Sequence, residues 1–446
     1  MRFDRETRNK RNKYYKAKRA NDGSTEKKNA IIKASKEYKK AVSKAKALQR
    51  KQKIKKLKNS KTKNPIYYWS VLGNNNNHKI RGSNNIPSLD YFYNEFKNLS
   101  GDQNYGEYSN GLDENRESGE VPNRIKELVE RILNSAFTEE EILLCVKELK
   151  NGKACGIDQI LNEFIKSTFD RMKHIYVDLF NRILSEGQIS EAWTIGMIVP
   201  LYKSKGDKGD FNDYRGITIL SCLGKLFTSV INARLNKFAD ESSLISENQT
   251  GFRKNYSTMD HIFLLKNVID LFVKNDKQKL YCAFVDYKKA FDTVWRSALW
   301  HKLLNNGITG KLYNVIVNMY SNIKSCVSQN GQLSEYFVSV NGVRQGENLS
   351  PFLFALFIND IEEFLIQYGC EPIHATGADV QTFLKLLVIM YADDTVLFAN
   401  SKENLQNCLN GLNSYCNKWK LQVNAEKTKV LIFSNRKVNG KKSTLQ

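Results

Sequence analysis

The stretch Leu386–Asn400, LLVIMYADDTVLFAN, constrains this chain more than any other. Apolar, β-rich runs at Leu386–Tyr391 and Thr395–Ala399 flank the short link Ala392-Asp393-Asp394, which predicts a β-hairpin with both strands buried. Two adjacent carboxylates at such a tip repel each other and resist desolvation. Divalent cations offset both costs, because carboxylate oxygens are hard ligands for a hard cation. A solvated Asp-Asp turn fits the same pattern, so the surroundings must decide.

Charge is spread unevenly. The chain of 446 residues carries +22, yet Met1–Lys63 alone holds 25 Lys and Arg against 5 Asp and Glu, leaving the rest close to neutral. A basic arm on a near-neutral body implies a polyanionic partner, nucleic acid ahead of membrane. A solvated tail that aids solubility is the plainer reading. The eight cysteines include no C-x-x-C pair, and the five histidines are scattered, so no zinc site is visible. Dispersed thiols suit a reducing compartment. The N-terminus lacks an apolar leader and no run reaches transmembrane length, so a soluble intracellular protein is expected.

Periodicity divides the chain into four parts. Residues 1–72 read as a basic helical arm, with a long exposed helix over Glu26–Leu57 docked by the aromatic cluster Asn64–Leu72. Residues 73–121 are Asn-, Ser- and Gly-rich and read as a linker, with FYNEFKNL as one short helix. Residues 122–182 are a helical extension, with a capping box at Thr138–Glu141, the Gly-punctuated loop Asn151–Ile160, and two further helices to about Glu186. In 183–446, strands are expected at Thr194–Tyr202, Ile217–Leu220, Lys279–Val285, within Ser325–Val340, and at Lys429–Phe433. Helices are expected at Leu223–Lys237, Met259–Lys274, Ser297–Asn322, Ser350–Tyr368 and Glu403–Trp419, with an ordinary loop over Glu371–Leu384. The body is therefore α+β.

Three features belong together: the strand Tyr281–Val285 closing on Asp286, the loop Val343–Pro351 opening a buried helix, and the YADD hairpin. A strand-end Asp and a hairpin-tip Asp converge if their strands are neighbours. Such a pair can hold two Mg2+ ions roughly 3.5–4 Å apart, the arrangement used for in-line phosphoryl displacement.

With these residues in view, the chain resembles the reverse transcriptases of non-LTR, LINE-type retrotransposons. NGKACGID (Asn151–Asp158), VPLYKSKGDKGDFNDYRGITIL (Val199–Leu220) and NQTGFRKNYSTMD (Asn248–Asp260) resemble blocks ahead of, within and after the fingers. FVDYKKAFD (Phe284–Asp292), RQGENLSPFLF (Arg344–Phe354) and YADD are similar to successive palm motifs, and LQVNAEKTKVLIFS (Leu421–Ser434) to the palm end and primer grip. The likeness covers about two-thirds of the chain, and its specificity lies in the order of the blocks. It implies a right-hand polymerase with fingers and palm, whose antiparallel palm sheet is backed by helices.

The resemblance also assigns roles. Asp286 and Asp393 would be the principal metal ligands and Asp394 the third carboxylate, holding two Mg2+ ions with Mn2+ as an alternative. Phe291 would lie under the incoming sugar and exclude a 2′-hydroxyl. Lys203 and Arg215 would grip the triphosphate, with Lys205 and Lys208 nearby on the same turn. Gln345 and Gly346 would line the template–nucleotide pocket, Lys427 would protonate pyrophosphate, and Asp292 would serve structure. The implied partners are an RNA template, a DNA primer and dNTPs, without membrane, and the implied place of action is the nucleus. No segment resembles the endonuclease that usually precedes such polymerases, and the chain stops past the primer-grip-like strand. A fragment lacking the endonuclease and most of the thumb is therefore expected. An RNA-dependent RNA polymerase or maturase is disfavoured by Phe291 and the finger spacing. A catalytically impaired fragment that only binds nucleic acid stays open.

Overall fold

The apolar runs read as strands form strands. In chain order these are β1 (Ile195–Tyr202), β2 (Tyr214–Ile219), β3 (Leu280–Val285), β4 (Lys324–Gln329), β5 (Gln332–Leu333), β6 (Phe337–Val338), β7 (Ile373–Thr376), β8 (Phe383–Leu386), β9 (Val388–Tyr391), β10 (Asp394–Ala399) and β11 (Lys429–Phe433). The computed structural model describes residues 5–20, 26–43, 86–101, 122–204, 206–275, 278–376 and 383–434. The chain falls into two units, Met1–Arg81 and Gly82–Gln446.

In the first unit Arg5–Arg19 and residues 26–43 are helical and mostly exposed, as a Lys- and Ala-rich composition favours. The Lys10–Glu37 ion pair (2.8 Å) and the stacked rings of Tyr14 and Tyr38 join the two helices. The remainder of the expected arm, including Asn64–Leu72, lies outside the described residues.

The second unit is α+β, as expected. One sheet runs β2-β1-β4-β5, with β6 also on β4; β1 is antiparallel to β2 and parallel to β4. The other runs β11-β3-β10-β9 and is antiparallel throughout. Helix Cys222–Ser242 buries Leu226, Phe227, Val230, Ile231, Leu235 and Phe238 completely and forms the middle of the main core. Its N-cap, Ser221, accepts from Gly224 N–H (3.0 Å) and donates to Asp158 (2.5 Å), which moors the loop Asn151–Ile160 to this helix. The capping box on helix Glu139–Glu148 is present, with Thr138 and Glu141 exchanging bonds.

Helix Leu89–Ser100 contains the short helix expected at FYNEFKNL and buries Phe92 and Phe96 against Ile198, Phe211, Tyr214 and Phe337, so it covers the first sheet. Four segments depart from their sequence pattern. The expected helix Ser297–Asn322 breaks into Arg296–Asn305 and Lys311–Ser321. Asn162–Glu186 is one helix rather than two. The expected helix Ser350–Tyr368 breaks into Ser350–Phe357 and Ile361–Gln367. At the break, Asn359 bonds both Ser246 N–H and the Leu244 carbonyl, while Asp360 accepts from Lys302 and Tyr415. Side-chain ties to other elements thus displace the helical ladder. The expected loop Glu371–Leu384 instead carries β7 and the start of β8, because Ile373 and Leu386 are buried beside Phe272 and Ile389.

All eight cysteines are free, and seven are buried. Among the described residues no helix is long and apolar enough to cross a membrane.

Arg234 sets the joint between the helical extension and the central helix. It is 3% exposed, bonds Glu141 through two nitrogens at 2.8 Å, reaches the carbonyls of Leu133, Ser135 and Ala136, and stacks 4.1 Å over Phe137. Glu141 is 34% exposed, so the charge left without Arg234 stays partly solvated, and the cost is about 1–3 kcal/mol for the polar groups that lose their partner. Arg234→Met is therefore expected to lower urea-unfolding stability by that order, measured by circular dichroism; a loss under about 1 kcal/mol would refute the assignment.

Candidate active site

β3 ends one residue before Asp286, and β10 begins with Asp394. The register pairs Val285 with Thr395, so its continuation sets Asp286 opposite Asp394, with Asp393 next to it in the turn. The other edge of β3 fixes the Asp286 backbone. Its N–H donates to Thr428 Oγ1 (3.3 Å) and its carbonyl accepts from Asn424 N–H (2.7 Å). Lys427 Nζ lies 3.7 Å from Asp286 Oδ2, an oxygen that is buried without a hydrogen-bond partner.

The hairpin turn is held from outside. Ala392 adopts φ +57°, a left-handed conformation that costs a Cβ-bearing residue. Gln249, fully buried, clamps it. Its Oε1 accepts from Ala392 N–H (3.0 Å) and Gly251 N–H (2.9 Å), and its Nε2 donates to the Ala392 carbonyl (3.3 Å). Thr250 N–H donates to the Met390 carbonyl (3.0 Å) and Met390 N–H to that of Asn248 (2.7 Å), which lays residues 248–250 along β9. A Cβ on Gly251 would sit 2.1 Å from Ala392 N, so only glycine permits this approach.

The carboxylates perturb one another. Burial pushes Asp393 and Asp394 above the ordinary carboxylate range; the charges of Asp394 and Asp286 add to the shift of Asp393, and Asp286 to that of Asp394. Arg215, on β2, pulls Asp393 the other way. Burial lowers the pKa of Lys203, helped by Lys427 and Arg215 and opposed by Asp213 and Asp286. Lys203, Arg215, Lys427, Asp286 and Asp393 therefore share one electrostatic field. Lys203 Nζ is occupied, donating to the Asn212 carbonyl (2.5 Å), whereas Arg215 is exposed. Lys205 lies outside the described residues.

A second strand-to-loop joint frames the field. The Gln345 carbonyl accepts from Thr218 N–H of β2 (2.9 Å), and its Nε2 donates to Asp292 Oδ2 (2.9 Å). Gly346 has φ +107°, and a Cβ there would meet the Thr218 carbonyl at 2.8 Å. Phe291 stacks on Phe354 at 4.8 Å, and its carbonyl accepts from Val343 N–H (2.7 Å). The nine residues nominated from sequence thus divide into a carboxylate cluster with surrounding bases and a second group, Phe291, Gln345 and Gly346, tied to Phe354, Asp292 and β2.

Three carboxylates, two of them destabilised by burial and mutual charge and the third, Asp286, with an oxygen that accepts no hydrogen bond and has Lys427 at 3.7 Å, fit a hard cation. Among the described residues no three His, Cys, Asp or Glu side chains form a ready-made metal cage. An open cluster is what Mg2+ favours, since it commonly keeps water and takes substrate phosphates as ligands.

Sequence reasoning missed Gln249, Gly251 and Thr428 as parts of this architecture. Each sits in a quoted motif, but its role depends on a contact more than a hundred residues away for Gln249 (|i−j| 143) and Thr428 (|i−j| 142). No local pattern carries that information.

Comparison with known proteins places the chain. Residues 203–443 match the family model described as reverse transcriptase (RNA-dependent DNA polymerase). The RNA-directed DNA polymerase from mobile element jockey of Drosophila melanogaster is 29% identical over 308 residues, 68% of this chain and 32% of that protein. The probable RNA-directed DNA polymerase from transposon BS, of the same fly, is 29% identical over 296 residues, 65% of this chain and 31% of that protein. The chain thus spans about a third of the length of these relatives. A solved telomerase from Candida tropicalis, truncated from its C-terminal domain, aligns with TM-score 0.39 and 15% identity over 65% of this chain and 59% of that one.

The Asp292–Gln345 bond gives a pH test. Burial pushes the Asp292 carboxyl up to about 7, against the opposing charges of Lys289 and Lys203. A carboxyl whose folded pKa is raised supports folding fully below its unfolded pKa, and loses that support as pH rises through about 7. Asp292→Asn keeps an oxygen for Gln345 and abolishes the titration. Its stability relative to the parent should therefore rise between pH 5 and pH 8 by at least about 1.4 kcal/mol, the worth of one pKa unit. Urea titrations across that range check it, and a flat difference would refute the protonated form.

Proposed function

The chain belongs to the reverse transcriptase (RNA-dependent DNA polymerase) family, and on that premise we propose that it extends a DNA primer on an RNA template by two-metal-ion nucleotidyl transfer from dNTPs, as part of a LINE-type, non-LTR retrotransposon. The observation that carries this reading is the convergence of Asp286, Asp393 and Asp394 at the ends of neighbouring strands, with Lys203, Arg215 and Lys427 in the same field. A cluster of like charges that costs stability is retained where charge must be neutralised during reaction.

Asp286, Asp393 and Asp394 would hold Mg2+ or Mn2+, which when bound activates a primer 3′-hydroxyl and neutralises departing pyrophosphate. The chain's own part is positioning. Arg215 offers a planar, exposed fork to the triphosphate, and Lys203 a point charge beside it. Phe291, backed by Phe354, presents a wall beneath the sugar that a 2′-hydroxyl would strike. Gly346 lets the backbone approach the nucleotide, and Gln345 ties that wall to β2. Lys427, beside Asp286 Oδ2, is placed to give pyrophosphate a proton.

In this reading residues 183–446 are fingers and palm, helix Leu89–Ser100 belongs with the fingers, residues 122–182 form the extension, and the basic arm binds RNA. Action in the nucleus follows from copying RNA onto a DNA end.

Two measurements test the reading. Given RNA template, DNA primer, dNTPs and Mg2+, the purified chain should extend the primer, and Asp393→Asn should lose at least on the order of 10²–10³-fold of that rate. Extension that survives the substitution refutes the site. Salt-sensitive RNA binding without extension would point instead to a fragment that only binds nucleic acid. Phe291→Val should raise ribonucleotide incorporation by about tenfold or more, and unchanged sugar selectivity would remove Phe291 from the gate.

A further inference from the structure

We propose that Phe252 is a stacking platform for the template strand, its ring taking the nucleobase opposite the incoming nucleotide; this rests on the polymerase reading and names a contact within it. Phe252 has φ +62°, a left-handed conformation strongly disfavoured for a bulky side chain. It is also 57% exposed, so the strained residue gains little burial in return. Strain of this kind persists where surrounding contacts over-determine the backbone, and it clusters at functional sites.

Those contacts are present on both sides. Gly251 is pinned against the turn of Asp393 by Gln249, and Thr250 is bonded to β9. Arg253 bonds the carbonyls of Ser246 and Gln249 and pairs with Glu247 (3.2 Å). The loop is thus locked at residues 249–251 and 253, and the ring between them projects outward. Its one aromatic neighbour among the described residues is Phe291, met edge-on at 6.4 Å and 89°. Phe252 therefore keeps more than half of its surface open beside the residue proposed to underlie the incoming sugar.

The occupant follows from shape and charge. A flat apolar ring beside Lys254, which is exposed and has no hydrogen-bond or ion-pair partner among the described residues, suits a π-surface carried on a polyanion. The loop leads into helix Thr258–Ile269, whose Met259, Ile262 and Phe263, at i, i+3 and i+4, are 56–67% exposed. Three further exposed apolar side chains thus follow Phe252 in the chain. The bases proposed to hold the triphosphate, Lys203 and Arg215, belong to the β1–β2 hairpin instead. The 252–263 segment is therefore assigned to the template rather than to the dNTP.

The test uses the full chain, an RNA template with 2-aminopurine at the templating position, and an annealed DNA primer, in EDTA so that no turnover is required. Wild type, Asp393→Asn and Phe252→Trp should quench the fluorophore on binding. Phe252→Gly should abolish the quench and weaken template binding by about 5- to 100-fold, the range expected for one stacked base. Its Tm should stay level or rise, because glycine relieves the positive φ. A quench retained in Phe252→Gly, or absent in wild type, overturns the proposal; so does a Tm loss of several degrees with binding intact. Primer extension, run separately with Mg2+, reports on the polymerase reading, so the failure of either is distinguishable from that of the other.

Discussion

β3 is hydrogen-bonded along both edges, to β10 and to β11, and the site depends on that sandwiching. A strand paired on one edge can slip, whereas one paired on both has its register fixed twice. The β10 edge brings Asp394 opposite Asp286. The β11 edge brings Thr428 and Asn424 to the Asp286 backbone and Lys427 to its side chain. Cys282, Ala283 and Val285 anchor β3 in apolar surroundings, at 0–3% exposure. The two faces of β3 pack in different cores, Leu280 and Cys282 with Phe272 and Phe398, Ala283 and Val285 with Val294 and Leu397. A one-residue slip would exchange side chains between cores of different shape, so packing and carboxylate placement enforce the same register.

The loop from Arg344 to Glu347 couples that sheet to the other. Arg344 and Glu347 form a buried pair at 2.9 Å; Glu347 also accepts from Tyr320 (2.6 Å), and Arg344 reaches the Trp193 carbonyl (2.9 Å). Desolvation cancels much of the attraction in such a pair, so its effect is better described as fixing one geometry than as adding stability. Gln345, between the two, joins Asp292 to Thr218. Groups from both sheets are thereby referred to one short stretch of backbone.

Most elements were legible because local chemistry and tertiary packing agree. The YADD hairpin, the Thr138 capping box and β11 were readable from apolar runs, capping residues and the polar turn alone. Agreement failed where distant side chains intervene. Asn359 and Asp360 interrupt an apolar helix because their partners lie on other elements, and β7 forms because Ile373 finds a distant core. Asp393 could be nominated from adjacent carboxylates, but Gln249 could not, since an amide before Thr-Gly is unremarkable until Ala392 lies against it. Helix Leu89–Ser100 was legible as a short helix at FYNEFKNL, but its place on the first sheet was not, because Phe92 and Phe96 pack against residues distant in the chain.

Backbone strain gives the site a common logic. Lys289 (φ +46°), Ala392 (φ +57°) and Phe252 (φ +62°) are left-handed without being glycine, and they lie within three residues of Asp286, Asp393 and Gln249 respectively. Each is held by side chains from elsewhere. The Lys289 ammonium sits 3.4 Å from the centre of the Phe211 ring, Ala392 is clamped by Gln249, and Phe252 lies between anchored neighbours. At about 1–3 kcal/mol apiece, such conformations would relax if the surrounding packing loosened. Nucleotidyl transfer by carboxylates needs charge held in place before substrate arrives, because electrostatic stabilisation is effective only when no reorganisation is required. The contacts that keep these three residues strained also keep the carboxylates from drifting apart under their own repulsion.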